Sequence, residues 1–237
     1  MATTSGTSTF NLDLNFIIEE AFERCGAELR TGYDMRTARR SLNLLTMEWA
    51  NRGINLWTIQ EGTIPLIQGQ AEYGMPVDTI DILEHVVRTQ TGQGQTDINI
   101  SRISVDTYAT IPNKNAQGRP IQLWFQRLSG QDNGGGIVEY PTITVWPVPN
   151  QSDYYSLVVW RLHRIQDAGD GTNIQDIPFR FLPCMVAGLA YHLSMKLPGG
   201  LERMPMLKMQ YDELWQQAAD EDREKAPLRI APRQYFP

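Results

Sequence analysis

Helical periodicity occupies both ends of this chain and is missing from its middle. That order limits the available folds more than any other feature. Leu14, Ile17, Ile18, Ala21, Phe22, Cys25 and Leu29 recur every three or four residues, which places them on one helix face. Glu19, Glu20, Glu23 and Arg24 fall mostly on the other. Gly32 reads as the stop of this segment, and Asp34 as the N-cap of the next, its carboxylate accepting free first-turn amides. Met35, Ala38, Leu42, Leu45 and Trp49 follow at spacing 3-4-3-4, a seam that suits a partner helix packed nearly antiparallel across a short loop. Gly53 fits the left-handed position after the helix. The first fifty residues are therefore expected to form a helical hairpin.

Helices return near the other end. Pro178 suits a first helical position. Phe181, Met185, Gly188, Leu189, His192 and Met195 share a face, and Leu197-Pro198-Gly199-Gly200 stops the pattern. A last helix is expected from about 205 to 225, with Leu207, Tyr211, Leu214, Trp215 and Ala218 inward. Pro227, Pro232 and Pro237 forbid a helix beyond it.

Between these ends, from 56 to about 163, the chain is rich in Ile, Val, Thr, Trp and Tyr. Short runs predict strands at 56–59, 63–66, 80–87, 121–125, 143–146 and 157–162. Gln68-Gly69-Gln70, Gly92-Gln93-Gly94 and Asp132-Asn133 before three glycines supply turns, since Gly and Asn accept positive φ. A short helix over 104–109 is expected, capped by Ser104. The block reads as a β meander or small sandwich of about five to seven strands.

The expected architecture is α+β. Residues 1–10 form a flexible polar leader. Residues 11–53 and 176–225 form a four-helix bundle, 54–175 an inserted antiparallel β domain, and 226–237 an extended C-terminal arm. At 237 residues no disulfide is needed to stabilise such a chain. Cys25 and Cys184 sit in apolar helical patterns and read as buried thiols in a protein of a reducing compartment. No secretory leader pattern is seen. The longest apolar stretch, 181–191, is broken by Pro183 and falls short of the ~20 residues of a membrane span, so a soluble protein is expected.

A search for chemistry finds little. His85, His163 and His192 lie at no metal-ligand spacing, so no metal site and no cofactor is expected. His192 lies on an apolar helix face and reads as a core histidine. No nucleophile elbow occurs, Ser194-Met195-Lys196 does not match SxxK, and the glycine clusters lack the context of phosphate cradles. Glycan hydrolysis needs two carboxyls about 5–9.5 Å apart, one with a raised pKa. Glu61, Glu72, Asp78, Asp81 and Glu84 are acidic and near the sheet, but nothing local singles out a pair. Catalytic residues are none.

Charge and apolar patterning say more. The formal charge is −6, which disfavours tight nucleic-acid binding by the whole surface. Arg36, Arg39 and Arg40 nevertheless share a helical face, with Arg30 shortly before. They either touch phosphate or pair with Glu28, Asp34 or a neighbouring subunit. The acidic run Asp220-Glu221-Asp222 reads as a solvated face or a basic partner's target. The tail carries Leu228, Ile230, Tyr235 and Phe236, which cannot form a core alone. It either lies back on its own subunit or docks on another protein.

Three stretches carry a family resemblance. The first comprises Ala38-Arg39-Arg40-Ser41-Leu42-Asn43 through Trp49, Gly53-Ile54-Asn55-Leu56-Trp57 and Tyr73-Gly74-Met75-Pro76. The second comprises Asn113-Lys114, Gly118-Arg119-Pro120, Trp124 and Trp146-Pro147-Val148-Pro149. The third comprises Leu189-Ala190-Tyr191, Leu207, Tyr211, the run from Ala218 to Arg223, and Ile230-Ala231-Pro232. Together they resemble the head-to-tail adaptor (connector) proteins of short-tailed bacteriophages, of the tail tubular protein A or packaged-DNA stabilisation type, over roughly 12–234. Gly74 departs from the bulkier residue such proteins often carry there. The resemblance implies a virion protein made in the host cytoplasm and placed in the phage neck. It implies a ring, twelve copies of self, between portal protein and tail nozzle, which extends the DNA channel and retains packaged DNA. It makes Leu228, Arg229, Ile230, Pro232, Arg233, Tyr235 and Phe236 a portal-binding arm. Arg36, Arg39 and Arg40 become subunit-pairing or channel-facing residues. DNA would pass without tight binding, and no membrane or enzymatic activity is implied. The rivals from other classes are a cell-wall glycan hydrolase and a DNA-binding module.

Overall fold

The computed structural model describes residues 12–53, 56–90, 92–128, 140–169 and 173–223. In chain order its elements are α1 (Leu14–Cys25), α2 (Gly32–Arg52), β1 (Ile59–Pro65), β2 (Glu72–Gly74), β3 (Thr79–Thr89), β4 (Thr96–Asn99), β5 (Ser101–Arg102), α3 (Val105–Ala109), β6 (Gln117–Gly118), β7 (Gln122–Gln126), β8 (Thr142–Trp146), β9 (Val148–Pro149), β10 (Tyr155–His163), α4 (Leu182–Ser194) and α5 (Met204–Glu221). The fold is mixed α+β, with two compact units: Met1–Leu56 with Ile165–Pro237, and Trp57–Arg164.

In the helical unit, the Asp13 side chain caps α1 by accepting from the Phe16 amide at 3.0 Å. Gly26, at φ +78°, ends it in the left-handed conformation. The helix therefore stops at Gly26 rather than at Gly32, which instead opens α2. Asp34 is also displaced from its expected role. Thr31 is the N-cap, and Asp34 completes a capping box three residues on: Thr31 Oγ1 accepts from the Asp34 amide at 3.2 Å while Asp34 Oδ2 accepts from the Thr31 amide at 3.0 Å. Gly53 ends α2 at φ +74°, as its sequence position implies.

Helix α4 is buried nearly all round, ten of its thirteen residues being inaccessible. It packs against α1, α2 and α5. The two N-terminal helices thus meet α4 chiefly, rather than each other as a hairpin seam would suggest. Phe179–Phe181 forms a 3-10 turn after Pro178, and α4 starts at Leu182 with Pro183 in its first turn. Met195, expected inward, is 48% exposed just past the helix end. Trp49, Phe181 and Trp215 meet with ring centroids 5.2–5.8 Å apart. Trp49 Nε1 donates to the Tyr211 hydroxyl at 2.9 Å, which fixes that ring. A Cβ at Gly188 would lie 2.8 Å from the Tyr211 ring and 3.0 Å from Leu45. Glycine here lets α4 approach its neighbours closely.

The β unit holds two four-stranded sheets, ordered β1-β10-β3-β4 and β2-β8-β7-β5, and a two-stranded pair β6-β9. The described strands number ten, several only two residues long, where five to seven were expected. Residues 56–58 form a 3-10 turn, so the first strand begins at Ile59. Pairing is antiparallel, as expected of the inserted β unit, apart from the two-residue pairings of β5 with β7 and β6 with β9, which are parallel. These short pairings join segments separated by long connections, a geometry that alternation within one segment does not encode. Leu123, Phe125, Ile143 and Val145 from one sheet and Ile82, Val87, Leu157 and Val159 from the other enter one apolar cluster. Ser104 caps α3 as predicted, accepting from the Thr107 amide. The turn expected at Asp132-Asn133 lies outside the described residues.

Gly188→Val should lower stability by roughly 1–3 kcal/mol, because neither the bonded Tyr211 ring nor buried Leu45 can yield freely. Urea unfolding should show a lower midpoint at unchanged slope. An unchanged midpoint would contradict the close approach described.

Candidate interaction surfaces

The groups capable of chemistry are mostly engaged in structure. Among the described residues, no group of three or more His, Cys, Asp or Glu could hold a metal ion. Cys25 and Cys184 are both buried free thiols. Burial pushes the Cys25 thiol up to about 11, partly opposed by the Arg203 charge, and the Cys184 thiol up to about 12. Cys25 Sγ donates to the Ala190 carbonyl at 3.0 Å. His192 Nε2 lies 3.3 Å from Glu48 Oε2 on the helical core's margin.

The acids near the sheet are similarly placed. Glu61, Glu72 and Glu84 are exposed. Asp81 is bridged by Arg102 at 2.8 Å and Arg127 at 2.6 Å. Asp78 lies 2.7 Å from Arg161. Partial burial would raise the Asp78 carboxyl, but the hydrogen bond and charge of Arg161 outweigh it and hold the group below the usual carboxylate value. A proton-donating acid needs the opposite shift. Arg161 itself was not anticipated. Alternation on β10 points it inward after Leu157 and Val159, and it is buried with Asp78, Thr79 and Gln60 as partners.

The expected arginine face does form. Arg36, Arg39 and Arg40 line one surface hollow of about 480 Å³ with Tyr33. Arg36 and Arg40 are exposed and Arg39 is half-buried. Among the described residues Arg36 and Arg40 pair with neither Glu28 nor Asp34. Arg30 takes Glu28 at 3.1 Å, and Asp34 is occupied by the capping box. The exposed stripe continues along α2 through Leu44 and Met47, 57% and 63% exposed. Spacing of three and four from Tyr33 through Arg36, Arg40, Leu44 and Met47 keeps all five on one face.

A second surface lies between α1 and the start of α4. It is a groove of about 670 Å³ with an apolar floor that includes Phe16, Leu182 and Val186. Glu19, Glu20 and Glu23 rim it, with Arg24, which pairs with Glu20 at 2.8 Å. Sequence reading marked these acids as the solvent face but missed the groove. Phe16 was its signal: an aromatic one position off the buried face of α1, 59% exposed.

The acidic run ending α5 is only partly solvated. Asp222 is 3% exposed and is bound by Arg180, whose Nε donates at 2.9 Å. Asp220 instead pairs at the surface with Arg223 at 2.8 Å. The arm residues Leu228, Arg229, Ile230, Pro232, Arg233, Tyr235 and Phe236 lie outside the described residues.

A family model described as SU10 adaptor protein matches residues 17–231, which takes in both helical segments and the whole β unit. The chain belongs to the SU10 adaptor protein family. It is thus a phage head–tail adaptor, a structural component of the virion whose family role is to join head and tail proteins. The family implies a non-enzymatic role. A comparison with curated proteins returned no match. No helix among the described residues is long and apolar enough to cross a membrane.

The raised thiol values give a direct check. At pH 8 the thiolate fraction of Cys25 is about a thousandth, and that of Cys184 smaller still. Alkylation by iodoacetamide at pH 8 should be at least about a hundredfold slower in the native protein than in guanidinium. Equal rates would show that the thiols are accessible.

Proposed function

We propose that twelve copies of this chain form a closed ring between portal and tail nozzle, which extends the DNA channel and retains packaged DNA. The observation that carries this reading is the family match over 17–231, since it spans both helical segments and the intervening β unit. On this reading α1, α2, α4 and α5 form a bundle that stands beside its neighbours in the ring. The β unit serves the tail-facing side. Residues 226–237 form the arm that reaches the portal, with Leu228, Ile230, Tyr235 and Phe236 as apolar anchors and Arg229 and Arg233 as charged contacts.

The mechanism is physical. Each arm needs only modest affinity, because ring closure converts later arm contacts into intramolecular ones at high effective concentration. Apolar burial between subunits seals the wall. Twelve copies at −6 each bring a formal charge of about −72 around the passage. Like charge keeps phosphates from adhering, and salt confines that repulsion to about 8–10 Å. DNA is then a neighbour and not a tightly held ligand.

Deleting residues 226–237 should abolish association with portal protein, measured by co-sedimentation, while circular dichroism and the urea midpoint stay unchanged. Portal binding that survives the deletion would remove the arm from the account.

A further inference from the structure

The helical unit presents two unlike surfaces of opposite charge, each with exposed apolar groups. One is the outer stripe of α2, basic in the middle at Arg36 and Arg40, which with Tyr33 border a shallow hollow, and flanked by exposed Tyr33, Leu44 and Met47. The other is the groove beside α1, concave, apolar at Phe16 and rimmed by Glu19 and Glu23. The stripe and the groove share no residue, so one copy can use both at once. Among the described residues neither Arg36 nor Arg40 is in an ion pair, and neither is Glu19 or Glu23. Each surface exposes an aromatic side chain, Tyr33 at 63% and Phe16 at 59%, which a monomer gains nothing by leaving in water.

We propose that the α2 stripe of one copy docks in the α1–α4 groove of a second copy of this chain. Arg36 and Arg40 meet the Glu19 and Glu23 rim, and the apolar ends of the stripe cover Phe16. Such a contact is heterologous, with a different patch on each side. A heterologous contact repeats from copy to copy and closes into a ring when its rotation divides a full turn. The proposal rests on the ring reading given above and assigns the faces that build it. It also gives Arg36 and Arg40 a partner: subunit pairing rather than the DNA passage.

The charges supply register and specificity, and the apolar flanks supply burial. Opposed like charges repel, so reversing either side should strongly weaken the contact. All four charged residues are partly or fully exposed, so reversal spares the fold.

The test uses the purified full-length chain and analytical ultracentrifugation over a concentration series in low salt. Wild type should self-associate. Arg36→Glu with Arg40→Glu, and separately Glu19→Arg with Glu23→Arg, should each weaken association by about a hundredfold. Mixed in equal amounts, the two variants should assemble again, because each then offers the other a complementary face. Arg36→Gln with Arg40→Gln should lose less, about tenfold, and should be less sensitive to salt. Circular dichroism checks that each variant is folded. A wild type that stays monomeric at its solubility limit, single variants that assemble like wild type, or a mixture that fails to assemble would each overturn the proposal. Loss of association only on removal of 226–237 would point to the tail as the occupant and would likewise overturn it. Variants that stay monomeric alone yet still bind portal leave the adaptor reading standing. Assembly by complementary faces without any portal binding contradicts that reading alone.

Discussion

The burial of α4 sets the terms for the helical unit. A helix that is apolar around most of its circumference must be largely covered, and α1, α2 and α5 pack around this one. Gly188 permits the approach, and the Trp49–Tyr211 hydrogen bond with the Trp49, Phe181 and Trp215 rings fixes it. The cluster draws on α2, on the turn before α4 and on α5, so both ends of the chain are needed to build it. An insertion as long as the β unit is tolerated because loop closure costs grow only slowly with length.

Enclosing α4 uses the inner faces of its neighbours and leaves their outer faces for other molecules. The outer side of α2 is basic and bordered by apolar groups, while that of α1 is acidic beside an apolar groove. An adaptor acts by contact, and these are two of the surfaces that the described helices present for it. The acids of the β unit serve differently. Asp78 and Asp81 are held by arginines, so they fasten loops and strands within the sheet unit, and Arg161 keeps the Asp78 carboxyl below the range a proton donor needs.

Local patterns were legible in the sequence wherever a single period decides the outcome. The inner faces of α1, α2 and α5 follow from spacing, and the Ser104 cap from residue type. Two errors came from residues with more than one local use. Gly26 and Gly32 both suit a helix stop, and only the left-handed φ of Gly26 decides between them. Aspartate suits both the N-cap and the third helical position, and Thr31 takes the cap. Features made by residues far apart could not be read. Arg161 needs Gln60, Asp78 and Thr79 around it. Asp222 needs Arg180, some forty positions earlier. The groove needs the start of α4 beside α1, across the whole β unit. The arginine face was visible because one helix carries it, whereas the groove is made by two.

The central claim is that this chain works by position in the virion, as a ring between head and tail. Cryo-electron microscopy of the particle neck tests it most directly. The account predicts a closed twelvefold ring of this chain between portal and tail, with the α2 stripe of each copy against the α1–α4 groove of the next. A neck without this chain, or with single copies that do not touch, would contradict it.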